Sequence, residues 1–600
     1  MANGIDVTTT DAFAEITLSR SSDGGWLAAP QRSGLLAVLA ALDPLPSVVL
    51  LRSVDRVMAR HSDGGPDLPG PDDAAAPTLA ELCLAIEHSA VPVFVLLEGM
   101  VAGAGAELAL AARGRIATPG ARIAFSAGRL GRISGAGGTQ RLARLVGAEH
   151  ALRLQTEARP IPAPEAMVIG LVDQIVEAET EAEIVAAAQA WALTQAKIAR
   201  KHMGLADGRG FLQAVKAARA AATPGSLAMA LADCTEAALL LPVEQGLAFE
   251  ATLAAERDAL PQTGALAHLM QAERMAAQTP EALRAVKVGH VARPALVGAS
   301  PQATALALMA LVRGLPVSVL EPDRTRLVAM LKSIAARQEA AVQAGTLSAV
   351  QRDADWARLR TFADGAGLDG ADLVVVAADT PVPNVPAAAP LLIMGRGDLP
   401  QGAFRLVVSG RVAELGLPAN CPAAAAAQAL AFLRRIGQTV VLTGQQSPVG
   451  ISGRLAGAGA AALRALQSSG VPPDAILAAL TEFGLASPSL PKADLGPVLR
   501  LMRPQEIVNR WLAALANEGA RLLAAGLAIS ASDVDLVAVH GLGLPAESGG
   551  PMYQADQRGL MILRRDLRLW SAEADVWQPV PALDMLVSAG RGFSGALSRG

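Results

Sequence analysis

The stretch from residue 98 to residue 142 constrains the fold of this chain more than any other. It reads EGMVAGAGAELALAARGRIATPGARIAFSAGRLGRISGAGGTQRL. Gly103 and Gly105 stand between a predicted buried strand, Val91–Leu97, and a predicted helix, Glu107–Arg113. Glycines at such a junction let the backbone turn sharply and let a ligand approach the main chain. Because units of strand, loop and helix recur along the first part of the chain, the sequence predicts an α/β fold.

Glu107 is the candidate catalytic residue of this stretch. It lies in the first turn of the predicted helix, where unpaired N–H groups and the positive end of the helix dipole can hold a developing oxyanion. A carboxyl group in a partly apolar pocket can act as a general acid or base. The dipole alone also favours a glutamate at this position, so the motif by itself leaves a structural role open.

Composition excludes several classes of protein. The 600 residues exceed what one hydrophobic core can hold, so we expect several domains. A net charge of -4 and an aromatic content of 3% disfavour nucleic-acid and anionic-membrane surfaces. The three cysteines, Cys83, Cys234 and Cys421, are far apart, which predicts neither a disulfide framework nor a metal site. With no signal-peptide pattern and no long apolar run, we expect a cytoplasmic protein without membrane insertion.

Three runs of residues resemble the enoyl-CoA hydratase/isomerase family, whose members have the crotonase fold. The first two are Gly103–Ala109 and Gly135–Leu142, the latter reading GAGGTQRL. The third is Glu165–Asp173, with its Glu-Ala start and Gly-Leu-Val-Asp end. The resemblance covers about residues 10 to 195. It implies a crotonase domain that acts on acyl-CoA thioesters and requires no cofactor.

The resemblance also implies a site around Glu107 as the catalytic acid or base. In that family the thioester oxygen accepts hydrogen bonds from two backbone N–H groups, which by position would be those of His61 and Ala104. The loop at His61 departs from the family's usual residues, and His61 could equally be a surface residue of a polar loop. The remaining substrate-binding positions that the resemblance implies are Gly103, Gly105 and Ser126.

One family position is missing its acid. Family hydratases use a second glutamate, and Ala127 stands at the aligned position. Hydration needs a water activated at Cβ and a proton delivered to Cα, work that two carboxyl groups share naturally. With Glu107 alone, one group must carry both proton transfers, or Ser126, His61 or water must assist. Isomerisation, thioester hydrolysis and decarboxylation remain open alternatives.

A strand–helix–strand unit at residues 293–321 favours a dinucleotide-binding interpretation. The three glycine positions of the fingerprint are occupied by Gly298, Ser300 and Ala303, so only the first glycine is present. Glu321 stands where an acid would bind a ribose. The fingerprint is weak, and it predicts NAD as a cofactor only weakly.

The C-terminal segment is similar to the helical half of bifunctional enoyl-CoA hydratase/3-hydroxyacyl-CoA dehydrogenases, the multifunctional β-oxidation enzymes. The resemblance rests on Asn517–Leu523, His540–Pro545 and Gly549–Met552. Pro242–Glu250, reading PVEQGLAFE, resembles their connecting helix. With both ends matching, the resemblance spans most of the chain.

The residues that catalyse the dehydrogenase reaction in that family have no match at the corresponding positions of this chain. The family's catalytic histidine would fall near Val408–Arg411, yet no histidine occurs between His290 and His540. A dehydrogenase of this kind needs a base for the hydroxyl proton. The sequence therefore predicts a degenerate dehydrogenase half. There are two alternatives: an active bifunctional enzyme, and a chain that binds acyl-CoA or a nucleotide without turnover.

These observations predict a multidomain α/β chain that hydrates or isomerises an enoyl-CoA in fatty-acid β-oxidation. We expect a monomer, because the fused body can cover the surface through which isolated crotonases associate. The expected parts are a crotonase domain at 1–195, a helical linker at 196–288, a Rossmann-like domain at 289–443, and all-α dehydrogenase-like segments at 444–502 and 503–600.

Overall fold

The computed structural model divides the chain into two compact units, Met1–Ala267 and His268–Gly600. No helix among the described residues is long and apolar enough to cross a membrane. His61 and Cys421 lie outside the described part of the chain. The structure describes residues 4–19, 26–42, 45–59, 77–198, 203–223, 225–286, 289–386, 388–396, 398–418, 420, 422–444, 446–496 and 498–596.

Two sheets form the framework of the first unit. Their strands are β1 (Ile5–Thr9), β2 (Phe13–Leu18), β3 (Val48–Ser53), β4 (Val57–Met58), β5 (Val93–Leu97), β6 (Met100–Ala102), β7 (Gly114–Ala117), β8 (Arg122–Ala124), β9 (Ile161–Pro162) and β10 (Gln174–Ile175). The larger sheet has the order β1-β2-β3-β5-β7-β10 and is parallel except for β1 against β2. The smaller has the order β4-β6-β8-β9, with only β9 antiparallel.

The strand predicted at Val91–Leu97 is confirmed as β5. β3 and β5 are buried along their whole length, as expected for parallel strands covered on both faces. β2 alternates between buried and half-buried residues, which fits its place next to the antiparallel strand β1.

Helices cover the sheets of the first unit. They are α1 (Ala29–Ala40), α2 (Leu79–Glu87), α3 (Ala104–Ala111), α4 (Gly138–Val146), α5 (Ala148–Glu157), α6 (Ala163–Val168), α7 (Glu181–Gln195), α8 (Gly208–Ala221), α9 (Leu227–Leu240), α10 (Val243–Asp258) and α11 (Pro261–Ala277). The division between the two units falls within α11.

The helices of the predicted linker do not stand apart from the first unit. Phe211, Val215, Leu231 and Cys234 are buried in the same core as the strands of that unit. α9 packs against α4 and α5, and α10 packs against α4 and α9. Helices α8 to α10 therefore complete the first unit.

An eight-stranded sheet forms the framework of the second unit. Its strands are β11 (Pro294–Val297), β12 (Val317–Leu320), β13 (Leu359–Phe362), β14 (Leu373–Val376), β15 (Leu391–Ile393), β16 (Phe404–Ser409), β17 (Val412–Gly416) and β18 (Thr439–Thr443). The order is β13-β12-β11-β14-β15-β16-β17-β18, and the first six strands are parallel. Those six have the 3-2-1-4-5-6 order of a doubly wound dinucleotide-binding sheet. The accompanying helices are α12 (Glu281–Arg284), α13 (Pro301–Val312), α14 (Arg324–Gln343), α15 (Ala349–Arg358) and α16 (Ala423–Arg435).

The remainder of the second unit is helical, as predicted. Its helices are α17 (Gly450–Ser468), α18 (Pro473–Glu482), α19 (Pro504–Ala524), α20 (Ala531–Leu536), α21 (Pro551–Arg558), α22 (Leu560–Trp570), α23 (Pro581–Ser588) and α24 (Phe593–Ala596). Ile451, Leu466 and Ile476 share one buried core with Trp511 and Leu567. The two predicted C-terminal segments therefore pack around a common core.

Candidate active site

A glycine turn connects β6 to α3 and lies at the candidate site. Gly103 has φ 56° and ψ -123°, a conformation that only glycine adopts readily. A Cβ on Gly105 would overlap the carbonyl oxygen of Met58, so the two segments approach at backbone distance. α3 begins at Ala104, three residues before the predicted start. The turn thus places Ala104 at the positive end of the helix.

Glu107 lies in the first turn of α3 and is only 8% exposed. Its Oε2 accepts a hydrogen bond from the backbone N–H of Ala136 at 2.8 Å and lies beside Gly138. Burial, followed by the nearby charge of Glu250, raises the pKa of Glu107 to about 8. At neutral pH the side chain is therefore mainly a carboxylic acid that can donate a proton.

The loop Gly135–Gly138 separates Glu107 from a second buried carboxyl group. Glu250 of α10 is 0% exposed and accepts hydrogen bonds from the N–H groups of Gly137 at 2.6 Å and of Thr139 at 2.8 Å. The N–H of Gln140, at 3.2 Å, and the Thr139 hydroxyl also donate to Glu250. Burial raises the pKa of Glu250 to about 6, while these hydrogen bonds oppose the rise.

The sequence interpretation missed Glu250, although its helix had been noted. Gly246 lies four residues before Glu250, so both occupy one face of α10. A Cβ on Gly246 would overlap the side-chain oxygen of Gln140, which shows how closely α10 approaches α4. A glycine and a glutamate four residues apart on one helix could have indicated a close packing face on α10, although not the partner of that face.

Ser126 lies beside the glycine turn. β8 is parallel to β6, with Ala124 opposite Ala102, so the residues that follow the two strands meet at one edge of the sheet. Ser126 is 0% exposed, and its hydroxyl has no hydrogen-bond partner among the described residues. Ala127 follows it and supplies no carboxyl group. Of the two predicted oxyanion donors, Ala104 begins α3, whereas His61 falls outside the described residues.

The second unit contains the turn at which the weak fingerprint placed a nucleotide. Gly298 directly follows β11 and has φ +90°, and a Cβ there would overlap the Thr380 hydroxyl. Ser300 caps α13 by accepting from the N–H of Ala303 at 3.1 Å, and Pro301 has no N–H to offer. Ser300 thus occupies one N–H of the first turn of α13 and Pro301 supplies none, so this turn offers fewer donors to a phosphate than a glycine-rich turn would.

The predicted ribose acid, Glu321, is engaged in the same turn. Its carboxylate accepts from the N–H of Ala299 at 2.8 Å and from the N–H of Asp323 at 3.0 Å. Arg326 pairs with it at 3.4 Å. The carboxylate predicted to bind a ribose is therefore engaged by residues of its own turn.

A histidine–carboxylate pair stands near the segment where the dehydrogenase histidine was expected. The backbone oxygen of His540 accepts from the N–H of Arg411 at 3.0 Å, and the Ser409 hydroxyl donates to the oxygen of Gly541 at 2.9 Å. The ring Nε2 of His540 lies 2.7 Å from the Glu273 carboxylate. The segment 408–411 itself provides no base.

Comparison with known families agrees with both halves of the resemblance. Residues 9–209 match the family model described as enoyl-CoA hydratase/isomerase. Residues 507–594 match the model described as 3-hydroxyacyl-CoA dehydrogenase, C-terminal domain.

Curated relatives carry names from β-oxidation. The peroxisomal fatty acid beta-oxidation multifunctional protein of Arabidopsis thaliana is 27% identical over 304 residues, which are 49% of this chain and 42% of that protein. The peroxisomal bifunctional enzyme of Danio rerio is 45% identical over 104 residues, which are 17% of this chain and 14% of that enzyme. The matched regions thus span less than half the length of either relative.

Among solved structures, the dehydrogenase part of multifunctional enzyme 1 from C. elegans aligns with a TM-score of 0.41 and 16% identity. This alignment covers 53% of the present chain and 96% of that one. The predicted fold class is confirmed: a crotonase-fold domain precedes a Rossmann-like sheet and a helical C-terminal part. Residues 9–209 are thus similar to the enoyl-CoA hydratase/isomerase family, and residues 507–594 are similar to the C-terminal domain of the 3-hydroxyacyl-CoA dehydrogenase family.

Proposed function

We propose that the first unit hydrates 2-enoyl-CoA thioesters in a β-oxidation pathway, with Glu107 as the catalytic acid and base. The observation that carries this proposal is the buried, neutral carboxyl group at the head of α3, beside the start of the helix at Ala104. The match of residues 9–209 to the enoyl-CoA hydratase/isomerase family supports the same reaction class.

The proposed reaction adds water across the conjugated double bond. The thioester oxygen binds at the start of α3, where the N–H of Ala104 stabilises the charge that develops on it. As the water oxygen bonds to Cβ, the π electrons move toward this oxygen. Glu107 then gives its proton to Cα, and the hydrating water returns a proton to the carboxylate. The product is a 3-hydroxyacyl-CoA, and Glu107 is restored.

A single carboxyl group can perform both transfers because its pKa lies close to the working pH. A group with a pKa of about 8 gives up a proton and takes one back with little free-energy cost near neutrality. The buried hydroxyl of Ser126, next to Ala127, is in a suitable place to orient the water that a second carboxylate would otherwise hold.

The pH dependence tests the assignment of Glu107 as the proton donor. Because the protonated form is the reactive one, kcat/KM should be level below a pH of about 8 and fall about tenfold per pH unit above it. The profile can be measured from the loss of absorbance of the conjugated thioester. A rate that instead rises through this range would assign Glu107 as a base alone.

A substrate series tests the proposed activity itself. Purified protein should hydrate crotonyl-CoA or a longer 2-enoyl-CoA, with the preferred chain length set by loops around the site. If no chain length reacts while acyl-CoA still binds, hydration is the wrong function. A binding role without turnover would then be the better interpretation.

We further propose that the second unit does not oxidise the 3-hydroxyacyl product. The turn after β11 is capped by Ser300 and Glu321, which supports an absence of NAD binding. The segment 408–411 also lacks the base that would take the hydroxyl proton.

One observation favours a second candidate function, an active dehydrogenase half. His540 and Glu273 form a pair beside Arg411, near the expected position of the missing base. Such a pair has the chemical groups needed to accept a hydroxyl proton. NADH formation from a 3-hydroxyacyl-CoA distinguishes this candidate from the first.

A further inference from the structure

Two carboxyl groups from different helices hold the same short loop. Glu107 of α3 accepts from the N–H of Ala136, and Glu250 of α10 accepts from the N–H of the next residue, Gly137. Both side chains are buried, with exposed fractions of 8% and 0%. If the loop moves at one carboxyl group, its hydrogen bond to the other carboxyl group must therefore change as well.

Glu250 provides the cap that α4 lacks. The residue before this helix is Gly137, with φ 88° and no side chain to accept from the free N–H groups of the first turn. Glu250 accepts from three backbone N–H groups and one hydroxyl instead. Four donors suit an ionised carboxylate, whose two oxygens act only as acceptors.

We propose that Glu250 is a positioning residue, which fixes the loop Gly135–Gly138 and the start of α4 so that the N–H of Ala136 orients the carboxyl group of Glu107. Its catalytic consequence rests on the proposed hydratase function, whereas its effect on Glu107 does not. α10, which the sequence indicated as a connector, thereby becomes part of the active-site framework.

The charge of Glu250 gives this role a second, measurable effect. A carboxylate held close to Glu107 opposes its ionisation and adds to the effect of burial on its pKa. Arg141 of α4 acts in the opposite direction. The titratable groups that interact in this cluster include Cys83 and Glu87 of α2, Glu107 of α3, Arg141 and Arg144 of α4, Cys234 of α9 and Glu250 of α10.

The test measures the protonation of Glu107 directly in the full chain. Difference infrared spectra of protein labelled with 13C-glutamate report the protonated carboxyl band, which is assigned to Glu107 by its loss in Glu107→Gln. In Glu250→Gln, the midpoint of this band should move from about 8 to lower pH, because the like charge is gone. For the same variant kcat should fall about 10²-fold, with little change in KM.

Two further variants separate positioning from folding. Glu250→Asp keeps the charge but withdraws its oxygens from the loop, so it should keep the wild-type midpoint while the frequency of the Glu107 band changes. Glu256→Gln, at an exposed site on the same helix, should match wild type in both respects.

The outcomes distinguish this inference from the proposed function. A changed Glu107 band frequency in Glu250→Asp without any wild-type hydration would reject the hydratase function and keep the positioning role. A folded Glu250→Gln protein with the wild-type midpoint and kcat would overturn the positioning role. If Glu250→Gln does not fold, an unchanged band frequency in Glu250→Asp would overturn it.

Discussion

Replacing Glu107 by glutamine is expected to lower kcat for enoyl-CoA hydration by about 10²–10⁴-fold, with KM close to wild type. Glutamine has nearly the same shape and can still accept from the N–H of Ala136, so the loop should keep its place. It can neither give a proton to Cα nor take one from water. The measurement is the initial rate with 2-enoyl-CoA, followed by the loss of thioester absorbance.

A stability measurement shows whether this loss reflects chemistry or folding. In the folded protein the pKa of Glu107 is raised to about 8. Its protonation therefore contributes fully to stability at any pH below the pKa that this group has in the unfolded chain. This contribution is lost as the pH rises through 8. The glutamine variant should therefore gain thermal stability relative to wild type between about pH 5 and pH 9. Glu177→Gln, at an exposed site outside any helix, should change neither rate nor stability. A Glu107→Gln protein that keeps full activity would remove Glu107 from the mechanism.

Replacing Gly105 by alanine is expected to cost about 3 kcal/mol of folding free energy and to abolish detectable hydration. The added Cβ would overlap the backbone oxygen of Met58, and backbone cannot rotate away as a side chain can. The start of α3 must then shift, which moves Ala104 and Glu107 together. Thermal unfolding and the hydration rate of the folded fraction measure the two effects.

Gly120 provides the matched glycine for comparison. A Cβ on Gly120 would meet no atom within 4 Å, so Gly120→Ala should leave stability and rate close to wild type. If Gly105→Ala had the unfolding midpoint of wild type, the close approach of α3 to Met58 would not be a constraint on this fold.

The parts of the site that follow from local sequence were predictable. The strand, glycine turn and first helical turn that present Glu107 are contiguous, and each is specified by residues within a few positions of it. The buried strand β5 was likewise recognisable as a short apolar run. Only the start of α3 was misplaced, because its first residues, Ala104 to Ala106, were taken as part of the turn.

The contact between Glu250 and the Gly135–Gly138 loop was not predictable in the same way. Glu250 and Gly137 are 113 positions apart, and nothing local in α10 states which helix it packs against. The buried residues of α10, Gly246, Glu250, Ala254 and Arg257, form one stripe along the helix, but such a stripe does not specify its partner. Tertiary packing, and not helix propensity or periodicity, therefore gave this residue its place in the site.

The turn after β11 shows the same limit of prediction from sequence, although here the fold was predicted and the contacts were not. The sequence placed Gly298 and Glu321 at the positions of a dinucleotide fingerprint, and the sheet order agrees with that fold. The sequence could not show that Ser300 and Glu321 accept from the N–H groups of the turn themselves. Fold and ligand site thus have to be argued separately in this half of the chain.

The most direct test follows the reactions of both units in a single assay. The full chain is mixed with a 2-enoyl-CoA ester and NAD, and the thioester and NADH absorbances are followed together. The account predicts loss of the thioester absorbance, absent in Glu107→Gln, without formation of NADH. An unchanged thioester signal would contradict hydration by the first unit, and a rise in NADH would contradict the loss of dehydrogenase chemistry in the second.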